Sequence, residues 1–97
     1  DRTVAGKLAH ALVDARVAAC VNVMAPCRSI YRWQGAVESA EELPLMIKTT
    51  QTHYAAVEKL IREHHPYAVP ELLAIPITRG LPAYLDWLAR ETASRGD

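Results

Sequence analysis

The sequence lacks the features that would assign it to several common protein classes. Its 97 residues include no phenylalanine, and 11 basic residues are balanced by 11 acidic ones. Because a neutral chain without a basic run has no electrostatic footprint for nucleic acid or anionic membranes, neither is an expected partner. No apolar run approaches the roughly 20 residues that span a bilayer. The first residues, Asp1 to Thr3, do not resemble a secretory signal.

Cysteine is scarce, which excludes a disulfide framework. Cys20 and Cys27 are seven positions apart, and this spacing matches neither a CxxC pair nor a zinc motif. In a regular strand an odd separation places two side chains on opposite faces, so the two thiols are not expected to chelate one ion together. We interpret Cys20 as a core residue and Cys27 as the more exposed thiol, beside a bend at Pro26.

Signatures of catalysis are also absent. The sequence has no Ser/His/Asp order, no glycine-rich phosphate loop and no paired-carboxylate motif. A pairing of Cys20 with a histidine is possible in principle, but a thiol buried in a strand is inert. We therefore expect a protein that is not an enzyme.

The apolar residues, 51% of the chain, are enough to build one domain over residues 1–97. Their periodicity and the positions of proline predict the following elements. These are a helix over about 4–15, strands over 17–24, 29–33 and 43–50, a helix over 52–64, a strand over 71–77 and a helix from Pro82. Gln34 and Gly35 are a predicted turn, and the nearby cluster Glu38, Glu41 and Glu42 is expected at a solvated hairpin tip.

This order matches a ferredoxin-like βαββαβ unit without the strand that precedes its first helix. The predicted fold is α+β, a ferredoxin-like (split βαβ) antiparallel sheet with helices on one face, plus a C-terminal helix. The absent strand is central in that topology. Without it, we expect that the remaining strands do not form one continuous sheet.

Three stretches make the chain recognisable: residues 18–23 (AACVNV), 29–35 (SIYRWQG) and 65–71 (HPYAVPE). Residues 47–49 (IKT) and 84–87 (YLDW) follow at the expected places. In this order and spacing the chain resembles the CutA family, the divalent-cation tolerance proteins, over nearly its whole length. The resemblance implies a cytosolic homotrimer linked to copper and other divalent metals, with a short N-terminal strand expected upstream of residue 1.

By the same resemblance, His64, His65 and Glu71 occupy positions proposed as copper ligands. Imidazole suits copper, a carboxylate can complete the site, and the end of a helix favours a cation. Adjacent helix residues point about a third of a turn apart, so the two histidines do not automatically share an ion. In the alternative interpretation, His64 belongs to the apolar stripe of its helix and His65 only caps it.

A second set of residues, mostly aromatic, either packs in the core and interfaces or lines a ligand cleft between subunits. Its members are Tyr31, Trp33, Lys48, Tyr67 and Trp87. Aromatic side chains dominate cores and interfaces, which favours packing. Lys48 in the middle of a predicted strand favours a small anionic ligand, as in a regulatory trimer with the architecture of PII signalling proteins. A scaffold without a ligand is the third possibility.

Overall fold

The computed structural model of the chain describes residues 2–64 and 70–93. Its elements, in chain order, are α1 (Arg2–Asp14), β1 (Cys20–Val23), β2 (Cys27–Trp33), β3 (Ala36–Glu42), β4 (Leu45–Lys48), a short 3-10 helix (Gln51–His53), α2 (Tyr54–His64) and α3 (Pro82–Glu91). The fold is α+β and ferredoxin-like, as the sequence predicts. Among the described residues no helix is long and apolar enough to cross a membrane.

The four strands form two separate antiparallel pairs. β1 pairs with β4, from Cys20 opposite Lys48 to Val23 opposite Leu45. β2 pairs with β3. Within the described residues, therefore, the strands form two separate pairs and not one continuous sheet, with the break between Val23 and Cys27 on one side and between Glu42 and Leu45 on the other.

The β2–β3 hairpin turns at the predicted position. Gln34 and Gly35 have φ of 48° and 83°, the left-handed values of the two central residues in a type I′ turn, and this turn matches the twist of the flanking strands. The prediction of a glutamate-rich tip is wrong, because Glu38, Glu41 and Glu42 lie along β3. The hydrophobic pattern did not predict this strand, because its residues are mostly polar and exposed.

The core lies between the two long helices and the β1–β4 pair. Its buried residues are Leu8 and Leu12 of α1, Ala18, and Val57 and Ile61 of α2. Apolar residues that pack against this core from the strands and beyond include Val21, Leu45, Ile47 and Leu72. These helices therefore cover one face of the β1–β4 pair, as predicted.

The prediction of a strand over 71–77 is wrong for this structure. The segment from 70 to 81 has no regular secondary structure, although its leucines and isoleucines alternate as in a strand. Leu73, Ile75 and Ile77 are 78%, 87% and 66% exposed. A strand is defined by hydrogen bonds to a neighbouring strand, and the described part of the chain offers this segment no such neighbour.

Arg16 holds the end of α3 against the end of α1. Its φ of 61° turns the chain sharply after α1. Its Nε donates to the carbonyl of Ala93 at 2.7 Å, and its Nη2 donates to the carbonyl of Arg90 at 2.8 Å. A guanidinium at this position meets the partial negative charge of the helix C-terminus. α3 begins at Pro82, whose missing N–H is tolerated in the first turn.

Candidate metal site and ligand-binding surfaces

His64 is the last residue of α2 and is exposed to solvent. Its Nδ1 lies 3.0 Å from the carbonyl oxygen of Leu60, one turn earlier. Because a carbonyl oxygen only accepts, Nδ1 carries the proton in this hydrogen bond, and Nε2 keeps its lone pair. Metal-binding histidines are commonly oriented in this way, with the second ring nitrogen donating to a backbone carbonyl.

The position of His64 adds a favourable electrostatic environment for a cation. The C-terminus of a helix carries a partial negative charge that attracts cations. The nearby Arg62 lies 3.9 Å from Glu58, so part of its positive charge is offset by a carboxylate on the same helix face. The prediction that His64 belongs to the buried stripe of α2 is wrong, because the buried residues of that helix are Val57 and Ile61.

Glu71 is exposed near the start of the extended segment 70–81. His65 and Tyr67 lie outside the described residues, and so does the loop that joins His64 to Pro70. The described residues bring no three histidine, cysteine, aspartate or glutamate side chains together. An imidazole nitrogen and a carboxylate oxygen are donor types that suit a borderline divalent ion.

Tyr31 and Trp33 lie on one face of the β2–β3 hairpin, where their cross-strand partners are Glu38 and Ala36. Both aromatic side chains are substantially exposed. In the described residues, the hairpin packs extensively only within itself. Residues 2–64 and 70–93 therefore do not build a cleft around these two side chains, and the predicted cleft between subunits remains a prediction.

Lys48 and Trp87 belong to two further elements. Lys48 is half-buried at the end of β4, opposite Cys20, and no described carboxylate forms an ion pair with it. Trp87 is half-buried on α3, and its ring contacts that of Tyr84 with centroids 5.4 Å apart. The aromatic packing expected for Trp87 is thus present within α3 itself.

A group of sulfur-containing side chains was missed in the sequence. Val21, Leu45 and Ile47 face the helices, so the even-numbered residues of β1 and β4 point to the opposite face. Cys20 and Met46 are on that outer face. The interpretation of Cys20 as a core residue is therefore wrong, whereas Cys27 is exposed as expected. The signal in the sequence was residue parity along β1, because Val21 packs against the core and the adjacent Cys20 therefore lies on the opposite face.

Comparison with known proteins identifies the chain's relatives. A family model described as the CutA1 divalent ion tolerance protein matches residues 1–91. The divalent-cation tolerance protein CutA of Thermus thermophilus is 47% identical over 89 residues, which are 92% of this chain and 86% of the relative. The solved structure of the T. thermophilus Cut A1 protein superposes with a TM-score of 0.93 at 45% identity, covering 96% of this chain and 90% of that one.

Relatives from animals are longer. Protein CutA of Mus musculus is 42% identical over 94 residues, which are 97% of this chain but 53% of the mouse protein. This chain therefore spans about half the length of that relative, while it covers most of the bacterial one.

Proposed function

The chain belongs to the CutA1 family of divalent ion tolerance proteins, and on this premise we propose that it binds divalent copper through His64, His65 and Glu71. The observation that carries the proposal is the hydrogen bond from His64 Nδ1 to the Leu60 carbonyl. It leaves Nε2 available on an exposed ring at the end of α2. Copper(II) prefers nitrogen and oxygen ligands of this kind over magnesium-type oxygen cages.

Calorimetric titration with Cu(II) tests the site. The wild-type chain should bind about one ion per chain, and the double variant His64→Ala/His65→Ala should lose stoichiometric binding. His10→Ala is the matched control, because His10 is an exposed histidine on α1. Unchanged Cu(II) affinity in the double variant would show that the ion is held elsewhere.

We further propose that the protein works as a homotrimer in the cytosol and has no enzymatic activity. A domain of this size buries a modest fraction of its surface and gains from oligomerisation. Support comes from the unpaired apolar residues of segment 70–81 and from Ile30 and Val37, which are 70% and 65% exposed on the protruding hairpin. Exposed strand edges of this kind favour pairing with another chain. We also propose the short strand upstream of residue 1, which would pair between β4 and segment 70–81.

A regulatory role is the second candidate, and Lys48 is the observation that favours it. Its half-buried ammonium has no described carboxylate partner, and a small anion bound between subunits would supply the missing charge. Tyr31, Trp33, Tyr67 and Trp87 would form the walls of such a cleft. A thermal-shift screen of small anions should then find a ligand whose effect disappears in Lys48→Ala while Cu(II) binding is kept. Equal shifts in the variant and the wild type would reject this role.

A further inference from the structure

The C-terminal helix α3 is anchored near its C-terminal end. Leu88 is 6% exposed, and Thr92, which follows the helix, is 1% exposed. In the single chain the first half of α3 is less covered, with Tyr84 and Leu85 each 40% exposed. Leu85 packs locally, since its Cδ2 lies 2.9 Å from where a Cβ on Gly80 would stand. Burial therefore ties α3 down at one end.

This anchor is separate from the main core. In the described part of the chain, the cluster of buried residues and the apolar side chains packed against it include no residue of α3. Within residues 2–64 and 70–93, α3 also has no extensive contact with another helix or strand. An element with few buried apolar contacts opens at a lower free energy than the whole domain unfolds. Of the three helices, α3 is therefore the one expected to open first.

Arg16 supplies the polar part of the anchor. Its Nε donates to the Ala93 carbonyl at 2.7 Å, and its Nη2 donates to the Arg90 carbonyl at 2.8 Å. Hydrogen bonds from a charged donor are stronger than neutral ones, and these two meet the negative end of the helix dipole. Both bonds join residues of one chain, so they do not require any face of the chain to be free in an assembly.

We propose that Arg16 is a latch for α3. The helix opens as a unit while α1, α2 and the β1–β4 pair stay folded, and the two hydrogen bonds of Arg16 keep it closed. Because α3 begins at Pro82, directly after segment 70–81, a closed α3 fixes the C-terminal end of that segment. An open α3 exposes Leu88 and Thr92 to water and releases the segment.

Hydrogen exchange of backbone amides, in urea below the unfolding transition, measures this opening helix by helix. In the wild type, amides of α3 should exchange faster than those of α1 and α2. Ile61 belongs to the buried core of α2, and Ile61→Val should speed exchange in α1 and α2 about two- to tenfold. Exchange in α3 should stay the same, because the core is intact in the open form. Equal acceleration in all three helices would mean that α3 opens only when the whole chain unfolds, which would overturn the proposal.

Substitutions of Arg16 test the latch itself. Arg16→Ala removes both hydrogen bonds and should speed α3 exchange about 5- to 150-fold. Arg90→Ala is the matched control, because Arg16 contacts the backbone carbonyl of residue 90 and this substitution removes only an exposed side chain. Its effect on α3 exchange should be smaller. Equal acceleration by the two variants, or none by Arg16→Ala, would show that Arg16 does not hold α3.

Arg16→Gly distinguishes the latch from the strained turn that Arg16 also occupies. The turn follows α1 and keeps its φ of 61° whether α3 is closed or open, so glycine relieves the same strain in both forms. Arg16→Gly and Arg16→Ala should therefore give the same α3 exchange, although they differ in the stability of the whole chain. Slower α3 exchange in Arg16→Gly would mean that the turn, and not the pair of hydrogen bonds, holds the helix.

Dilution separates opening within one chain from dissociation of an assembly. Because the latch acts within the chain, the rate of α3 exchange should not depend on protein concentration. Exchange of α3 that accelerates on dilution through the micromolar range would mean that a neighbouring copy holds the helix closed, and the latch would be rejected.

Discussion

The extended segment 70–81 gives a quantitative test of the proposed assembly. Ile75 is 87% exposed in the single chain. Fully burying an isoleucine stabilises by about 1.5–3 kcal/mol, so covering Ile75 in an interface would contribute about 1.3–2.6 kcal/mol per chain. Ile75→Asp removes this contribution and adds the cost of desolvating a carboxylate. In an isolated chain the same substitution would change little, because the residue is already in water.

Sedimentation velocity at micromolar concentration measures the outcome. The wild type should sediment at about three times its chain mass of 10.7 kDa, and Ile75→Asp should dissociate it. Val13→Asp is the control, since it places the same charge on a partly exposed position of α1. The unfavourable interaction of this carboxylate with the C-terminal end of the helix dipole costs under about 1 kcal/mol. A wild type that sediments as a single chain, or an Ile75→Asp trimer as stable as the wild type, would refute the reasoning.

Three further predictions concern stability and are measured by urea unfolding. Leu12 is fully buried, so Leu12→Ala should lower the free energy of unfolding by about 2.7–5 kcal/mol; a loss below 1 kcal/mol would contradict the described core. Arg16→Ala should cost about 1–3 kcal/mol through its two lost hydrogen bonds. Arg16→Gly should be less harmful by about 1 kcal/mol because φ is 61°, and equal losses would exclude backbone strain. Gln34→Asn should stabilise the type I′ turn by a few tenths of a kcal/mol or more, whereas destabilisation would argue against that turn.

Much of the fold was accessible from the sequence because local patterns and tertiary packing agree. The periodic leucines of α1 and the stripe of α2 lie in the observed core. Pro82 starts α3 because its ring fits only the first turn.

The errors occurred where a partner, and not the local sequence, decides the structure. Residues 71–77 have the alternation of a strand, but alternation supplies no hydrogen-bonding neighbour. β3 has a hydrogen-bonded neighbour although its sequence lacks the alternation of apolar and polar residues, because the type I′ turn folds this polar segment directly onto β2. Hydrophobic pattern alone predicts the wrong result in both cases.

The candidate sites differ in how far the sequence defines them. His64 and Glu71 were found by family resemblance, but the hydrogen bond that orients the His64 ring depends on the helix geometry that brings Leu60 below it. That Cys20 and Met46 share one face depends on the pairing of β1 with β4, two strands that residues 24–44 separate in the sequence.

Assembly and copper binding should be coupled through segment 70–81. Glu71 is near the start of this segment, and none of the described strands is hydrogen-bonded to the segment. A ligand on an unpaired segment must be ordered when the ion binds, and this ordering costs about 1–2 kcal/mol for each residue fixed. An interface that covers Ile75 would order the segment beforehand. Ile75→Asp should therefore weaken Cu(II) binding at His64 and Glu71 although residue 75 holds no ligand.

Calorimetry with Cu(II) on Ile75→Asp measures this coupling. Equal Cu(II) affinity in a dissociated variant would mean that Glu71 is either already in place or not a ligand. Glu71→Gln then distinguishes these, since loss of Cu(II) affinity in that variant identifies Glu71 as a ligand held in place without the interface.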